Sequence, residues 1–232
     1  MHSENRMFLR RALIPLAAVL IAVGCSDQRH PFAVQLPPIP TPHFLQWAGS
    51  TPPQFTAGGG FVGLASLSDG LSLDHNTASF WAVRGESRSV QINYRSFTGD
   101  TTSPFLHLTI TDPISVPGLG DLAPGDSVLI TVTIDTVNIG VSLEPTGLQF
   151  GDPAQLQIWY AGAGGDLNGD GVADSTDAGI EGKLLGMWYR EGATSTWTPI
   201  PAIHSLSDKS FISELFHFCD FEVSFSEWAV SW

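Results

Sequence analysis

The chain has 232 residues, of which 10 are basic and 23 are acidic, so its net charge at neutral pH is −13. This acidic balance argues against nucleic acid as a partner and against electrostatic attachment to an anionic membrane surface. Residues 56–232 are numerous enough for one sizeable hydrophobic core, and we expect a single domain over that range.

The first 24 residues have the order of a bacterial export signal. Arg6, Arg10 and Arg11 precede an uncharged apolar run that extends from Ala12 to Gly24. Basic residues followed by a short apolar run are typical of a signal peptide. A membrane-spanning helix needs about 20 apolar residues, and this run is shorter. We therefore predict a cleaved signal peptide over residues 1–24.

The apolar run ends in Ile21-Ala22-Val23-Gly24-Cys25, which resembles the lipobox of bacterial lipoproteins. The resemblance implies that Cys25 receives diacylglycerol, that the signal is removed before it, and that acyl chains such as palmitate anchor the protein in a membrane. An ordinary signal peptide with an incidental cysteine is the alternative. Ser26 after the cysteine favours the outer membrane, so we expect a lipid-anchored protein of the bacterial cell envelope.

A lipidated Cys25 leaves Cys219 as the only other cysteine in the chain. The mature protein then has no pair of cysteines from which to form a disulfide. In an oxidising compartment, a single thiol is either buried as a small apolar group or reactive.

Residues 25–55 are predicted to form a lipidated, proline-rich stalk. Proline-rich segments are extended and semi-rigid, and they act as spacers. The alternative is that the apolar residues Phe44, Leu45 and Trp47 dock on the domain. The prolines of this segment are Pro31, Pro37, Pro38, Pro40, Pro42, Pro52 and Pro53.

Short runs with alternating apolar residues follow one another along residues 79–232. Period-two alternation bounded by Gly, Pro and Asp indicates β-strands, and the only stretch with helical spacing is Asp177–Leu185. Strand after strand without intervening helices predicts an all-β fold, an antiparallel β-sandwich. The predicted strands are Ser79–Val83, Ser89–Tyr94, Phe105–Thr111, Ser127–Ile134, Ile139–Leu143, Gln155–Tyr160, Gly186–Arg190, Phe211–Phe218 and Phe221–Trp232.

An acidic loop lies within residues 162–183, which we interpret as a calcium-binding insertion in the sandwich. Ca²⁺ takes six to eight oxygen ligands, and a loop with oxygens at positions 1, 3, 5, 7, 9 and 12 can wrap them around one ion. Gly171 at position 6 permits the sharp turn that such a loop needs. The candidate ligands are Asp166, Asn168, Asp170, the Val172 carbonyl, Asp174 and Asp177.

This acidic loop resembles the calcium loops of dockerins and of thrombospondin type 3 repeats, which use Asp at the last position. Ala173 and Ala178 stand where dockerins have larger apolar residues, and a second copy of the loop is missing. The resemblance therefore implies calcium binding but not the cohesin partner of dockerins. An Asp/Gly hairpin loop without metal is the alternative.

The last third of the chain resembles the ZU-five β-sandwich of ankyrins, netrin receptors and bacterial surface lipoproteins. The resemblance lies in the strand from Gln155 to Tyr160, the aromatic strand with Trp188-Tyr189, the turn Trp197-Thr198-Pro199 and the closing His217-Phe218. Some relatives cleave their own backbone at a closing His-Phe-Ser, so self-cleavage between Phe218 and Cys219 is a minor alternative to a packing role.

No recognisable catalytic constellation occurs in the chain. Phosphate-binding glycine loops, Gly-x-Ser-x-Gly and zinc-ligand spacing of histidines are missing from the sequence. We therefore expect a lipid-anchored, non-catalytic, calcium-stabilised envelope or surface module used for adhesion or scaffolding, with a protein or glycan surface ligand and no nucleic-acid partner. A carbohydrate-binding or carbohydrate-processing surface protein is the alternative.

Overall fold

The computed structural model describes residues 42–49, 53–58, 71–95, 102–191, 195–218 and 226–231. These residues all belong to one compact unit, Pro40–Trp232. Cys25, Cys219, the signal peptide and the stalk as far as residue 41 lie outside the described residues.

Fifteen strands, one α-helix and two short 3₁₀ helices make up the described part of the chain. The helix α1 spans Ser175–Lys183, and the 3₁₀ helices span Asp74–Asn76 and Ala161–Ala163. The strands are β1 Gln54–Gly58, β2 Leu71–Ser72, β3 Thr77–Val83, β4 Arg88–Arg95, β5 Thr102–Ile110, β6 Pro113–Val116, β7 Gly120–Asp121, β8 Ser127–Ile134, β9 Gly140–Glu144, β10 Gln149–Trp159, β11 Gly186–Arg190, β12 Thr198–Ile200, β13 Ile203–Ser205, β14 Ser210–His217 and β15 Ser226–Ser231.

The strands form two antiparallel sheets. The larger sheet has nine strands in the order β13-β14-β10-β5-β4-β1-β2, with β6 paired to β10 and β7 paired to β6. The smaller sheet has six strands in the order β12-β11-β15-β9-β8-β3. The fold is therefore all-β with antiparallel sheets, as the sequence predicts. Within the described residues, no helix is long and apolar enough to cross a membrane.

One hydrophobic cluster, with members on strands of both sheets, forms the core. In β8 the residues Ile130 and Val132 are fully buried and Ile134 nearly so, whereas Leu129 is 44% exposed. Alternate side chains of a strand point to opposite faces, so this pattern buries one face of the strand and solvates the other. As the alternation in the sequence predicts, Ile130, Val132 and Ile134 share one face of β8, and Leu129 lies on the other.

Every predicted strand has a counterpart in the described structure, although the ends differ by a few residues. The first part of the predicted strand Phe221–Trp232 lies outside the described residues, and β15 covers its last part. The alternation of apolar residues did not predict β1, β2, β6, β7, β12 and β13. Five of these six strands have two to four residues, which is too short for a period-two pattern to be recognised.

Prolines inside the nine-stranded sheet lie next to irregularities in strand pairing. Pro153 lies in β10 where the register with β14 shifts between Gln149 and Ala154. Pro104 lies in β5 opposite Asn93, beside another shift in register. Proline lacks an N–H to donate to the ladder, so it is tolerated where the ladder is interrupted.

Residues assigned to the stalk pack in the core of the domain. Leu45 is 1% and Trp47 6% exposed. The indole ring of Trp47 contacts the rings of Phe55, Tyr94 and Phe105 at centroid distances of 5.2, 5.5 and 4.9 Å. This segment therefore docks on the domain, which is the alternative that the sequence left open. The hydrophobic core thus begins before residue 56.

Trp47 also packs against the start of the 162–183 insertion. Its Nε1–H donates to the carbonyl of Asp135 at 2.8 Å, and the N–H of Ala48 donates to the carbonyl of Gly162 at 2.9 Å. A side chain on Gly162 would place its Cβ 2.7 Å from Cε3 of Trp47 and closer still to Cζ3. Only glycine therefore allows the base of the insertion to lie on the indole.

Substitution of Gly162→Ala is expected to destabilise the domain. The added methyl group collides with a buried ring, and overpacking of this kind costs about 1–3 kcal/mol of unfolding free energy. Urea unfolding followed by tryptophan fluorescence measures the loss. Gly179→Ala is the matched control, because a Cβ at Gly179 in α1 meets nothing within 4 Å and alanine favours the helix. Equal stability of the two variants would contradict the packing argument.

Candidate metal site in the acidic loop

The acidic loop connects the two sheets. Strand β10 of the nine-stranded sheet ends at Trp159, and the chain then passes through the 3₁₀ helix Ala161–Ala163, the loop and α1 before it enters β11 of the six-stranded sheet. The insertion is thus a crossover whose two ends are fixed by strands.

The carboxylate of Asp166 organises the first half of the loop. Oδ1 accepts the backbone N–H of Gly169 at 2.8 Å and that of Asp170 at 3.2 Å, and Oδ2 accepts the N–H of Gly171 at 2.8 Å. Three successive N–H groups therefore point at one carboxylate, which folds the loop around the side chain at position 1.

Two glycines and two Asx turns complete this half of the loop. Gly169 and Gly171 have φ of 75° and 91°, the left-handed region that side chains other than glycine rarely adopt. Asn168 Oδ1 accepts the N–H of Asp170, and Asp170 Oδ1 accepts the N–H of Val172, each at 2.9 Å. Gly171 thus makes the turn for which the sequence placed glycine at position 6.

The second half of the loop is the N-terminal cap of α1. Asp174 Oδ1 accepts the N–H of Thr176 at 2.6 Å, and Asp177 Oδ2 accepts the N–H of Asp174 at 2.8 Å. Asp174 and Asp177 form a capping box, in which each side chain satisfies a donor at the helix start. Negative charge at this end also stabilises the helix dipole.

Asp177 closes the loop. Its Oδ1 accepts the N–H groups of Leu167 and Asn168 at 2.7 and 3.1 Å, and the residue is only 3% exposed. The N–H groups of Asp174, Leu167 and Asn168 lower the pKa of Asp177, with that of Asp174 having the largest effect, and burial opposes them. The last candidate ligand of the loop is thereby hydrogen-bonded to the backbone of Leu167, Asn168 and Asp174.

Leu167 and Ile180 anchor the loop and helix to the core. Both are 7% exposed and belong to the hydrophobic cluster. The small residues Ala173 and Ala178 leave no comparable anchor at their own positions, and both are exposed. Apolar attachment is thus provided by Leu167, one residue after the first candidate ligand Asp166, and by Ile180, three residues after the last candidate ligand Asp177.

The side chains of the loop provide the carboxylate and amide oxygens that calcium takes as ligands. Across the described ranges, no group of three or more His, Cys, Asp or Glu side chains is placed to hold a metal ion. Asp166 and Asp177 direct both carboxylate oxygens to backbone N–H groups. A carboxylate oxygen that accepts one hydrogen bond retains capacity for a cation. Asp166 and Asp177 can thus hold the loop backbone and still offer oxygen lone pairs to a cation.

A second group of polar side chains, which no sequence motif predicts, lies at the base of the insertion. The Tyr160 hydroxyl donates to Glu181 Oε1 at 3.2 Å and lies 2.8 Å from His204 Nε2. Lys209 Nζ lies 3.1 Å from the same Glu181 oxygen. These residues come from the end of β10, α1, β13 and the turn before β14: Tyr160 directly follows the last residue of β10. No local motif links positions so far apart, so only the folded chain shows the cluster.

Burial governs the titration of this cluster. It raises the pKa of Tyr160 far above the ordinary value, and the charge of Glu181, to which Tyr160 donates a hydrogen bond, raises it further. Burial lowers the pKa of His204, and the charge of Glu181 partly opposes that effect. At neutral pH the phenol is therefore protonated and the imidazole neutral.

The proposed self-cleavage position lies at the limit of the described chain. Phe218 is fully buried, its N–H donates to the carbonyl of Leu148 at 2.9 Å, and its ring contacts Phe150 at 5.1 Å. Phe218 is thus a core residue. Cys219 lies outside the described residues, so the minor alternative of self-cleavage between Phe218 and Cys219 stays untested.

No protein family, curated protein or solved structure matches this chain. The resemblances to lipoproteins, dockerins, thrombospondin repeats and ZU-five domains consequently rest on the residues quoted for each.

Replacement of Asp177 by Asn is expected to lower the melting temperature at neutral pH without any added metal. The amide keeps one acceptor oxygen and turns an NH₂ group toward a backbone N–H that the carboxylate accepts. Differential scanning calorimetry in EDTA measures the change. Asp152→Asn, at an exposed position of β10, is the matched control and is expected to leave the melting temperature unchanged.

The same two variants test the pH dependence of Asp177. A carboxyl group whose pKa is lower in the folded than in the unfolded protein contributes stability above its unfolded pKa of about 3.9, and loses it as pH falls through the folded value. The stability advantage of the wild type over Asp177→Asn should therefore shrink below about pH 4. An advantage that is independent of pH would contradict the ionised, hydrogen-bonded carboxylate.

Proposed function

We propose that this protein is a lipid-anchored module of the bacterial cell envelope that binds a surface ligand without catalysis. Its β-sandwich would serve adhesion or scaffolding, and calcium would stabilise the acidic loop. The observation that carries the proposal is the sequence Ile21–Cys25 at the end of the apolar run, because it couples export to attachment.

The order of the lipid position, the proline-containing segment and the domain along the chain supports attachment to the membrane. A lipid on Cys25 and a folded unit that begins at Pro40 leave a short proline-containing segment between membrane and domain. Proline-rich segments extend by about 3.1 Å per residue. Such a protein stays close to the membrane surface, which suits contact with a neighbouring envelope component more than capture of a diffusing substrate.

The positions of the candidate ligands along the loop support calcium binding. Asp166, Asn168 and Asp170 stand at alternate positions around the left-handed Gly171, and Asp174 and Asp177 stand at the following helix. These side chains provide carboxylate and amide oxygens, the ligands that Ca²⁺ prefers. A cation would also relieve the repulsion among four aspartates, so we propose a stabilising rather than a signalling role.

The structural role of charged groups supports a non-catalytic function. Asp166, Asp174 and Asp177 accept backbone N–H groups that hold the loop, and Glu181 joins α1 to Tyr160 and Lys209. Each of these side chains is engaged in joining elements of the fold, and Tyr160 remains a neutral phenol.

The carbohydrate alternative receives less support from the placement of aromatic side chains. An exposed row of them on one sheet would favour it. Trp47 and Trp188 are buried, and Trp81, which is 56% exposed, lies on β3 of the six-stranded sheet. Trp159 is half-buried on β10 of the other sheet. Trp47, Trp81, Trp159 and Trp188 therefore form no continuous exposed row.

Calcium titration with thermal unfolding tests the proposed metal role. Ligand present at about 100 times its Kd stabilises a folded protein by about 2.7 kcal/mol, which corresponds to roughly 5 to 10 °C for a domain of this size. Asp170→Ala should abolish the rise, and Asp152→Ala should retain it. An unchanged melting temperature of the wild type in excess Ca²⁺ would remove calcium from the proposal.

Substitution of Cys25→Ser tests the anchor. The variant should incorporate no labelled palmitate and should leave the membrane fraction of a bacterial host, because no thiol remains at the acylation position. Cys219→Ser is the matched control and should remain labelled and membrane-bound. Retention of label by Cys25→Ser would refute the lipobox assignment.

A further inference from the structure

We propose that Tyr160, Glu181, His204 and Lys209 form an acid-sensitive clasp that holds α1, and through α1 the acidic loop, on the nine-stranded sheet. Below, the term clasp refers to these four side chains. The proposal is independent of calcium, because every contact of the clasp is made by protein atoms.

The donor and the acceptor of each hydrogen bond in the clasp follow from the groups involved. The Glu181 carboxylate can only accept, so the single hydroxyl proton of Tyr160 is donated to Glu181 Oε1, at 3.2 Å. The Tyr160 oxygen then accepts from His204, which requires a proton on Nε2, 2.8 Å away. Lys209 completes the clasp by donating to Glu181. Glu181 is therefore the shared acceptor on which α1 is held.

The position of the clasp makes it a closure for the insertion. Tyr160 directly precedes the insertion, and Glu181 lies near its end, one helical turn after Asp177. Asp177 in turn binds the N–H groups of Leu167 and Asn168. A displacement of α1 at Glu181 is thereby transmitted to the hydrogen bonds that close the acidic loop.

The turn that carries Lys209 is built to face the clasp. Lys209 has φ of 50°, an uncommon conformation for a residue with a side chain. Its carbonyl accepts the N–H of Tyr160 at 2.8 Å. The backbone of this turn therefore binds the segment that leads into the insertion, and the side chain of Lys209 binds α1 near the end of the insertion.

His204 makes the clasp sensitive to acid. Its ring stacks on Phe211 at 4.1 Å and 15°, and it is part-buried beside the Tyr160 hydroxyl. The titratable and charged groups that face it are Tyr160, directly after β10, and Glu181 of α1, which also pairs with Lys209 of the turn before β14. The folded environment disfavours the protonated ring because burial outweighs the attraction of Glu181.

The linkage between protonation and opening follows from that preference. When α1 and the clasp open, His204 becomes hydrated and its pKa returns toward the ordinary value of about 6.5. The open form then binds a proton that the closed form resists, so opening becomes more favourable as pH falls below that value. We expect this opening to be confined to the insertion, because the backbone hydrogen bonds between the strands of the sheets are retained.

Hydrogen–deuterium exchange of the full chain in detergent and EDTA tests the clasp. After correction for intrinsic exchange, amides of residues 166–183 should exchange faster at about pH 5.5 than at about pH 7.5, while β4 and β5 change little. His204→Gln keeps a donor near Tyr160 but cannot titrate, so the acid response should disappear. His107→Gln on β5 is the matched control and should retain it.

Glu181→Gln and Lys209→Gln test the contacts themselves. Loss of a hydrogen bond to a charged group should raise exchange of the same amides by about tenfold or more at neutral pH. If Glu181→Gln also opens β4 and β5, Lys209→Gln decides, because it leaves the bond from Tyr160 to Glu181 intact. Unchanged exchange in both variants, or an acid response that persists in His204→Gln, would overturn the proposal.

Discussion

Trp47 occupies the place where the N-terminal segment, the larger sheet and the acidic insertion meet. Its ring packs on Phe55 and Phe105 of β1 and β5, its Nε1–H caps the carbonyl of Asp135, and it leaves room for no side chain at Gly162. A large aromatic group contributes much buried area and one directed hydrogen bond. The position of the insertion relative to the core consequently depends on a residue that precedes the first strand by several positions.

The insertion itself is held by polar contacts instead of a large apolar interface. Leu167 and Ile180 bury apolar surface from its loop and helix. Backbone N–H groups directed at Asp166 and Asp177 fold the loop, and Glu181 joins α1 to Tyr160 and Lys209. Buried N–H groups must find acceptors, and an ionised carboxylate is a strong one. Four aspartates in one loop therefore have a structural use before any metal is considered, and this arrangement sets the starting point from which calcium would act.

The alternation of apolar residues predicted nine strands because each of them is long enough to show period two, as β8 does from Ser127 to Ile134. Short strands at sheet edges, such as β12 and β13, depend on pairing with a neighbour and carry no such pattern. The acidic loop was recognised because its oxygens and Gly171 are close in sequence. The clasp was not, because Tyr160 and His204 come together only through the pairing of β13, β14 and β10.

The sequence alone determined the strand-rich class, the positions of the principal strands and the turn at Gly171, since each depends on near neighbours in the chain. Tertiary structure decided that Trp47 belongs to the core, that Asp177 turns to the backbone of Leu167, and that Glu181 receives both Tyr160 and Lys209. These contacts depend on which strands become neighbours across the sheets. Local periodicity contains no information on that choice, because pairing is selected by burial and hydrogen bonding over the whole chain.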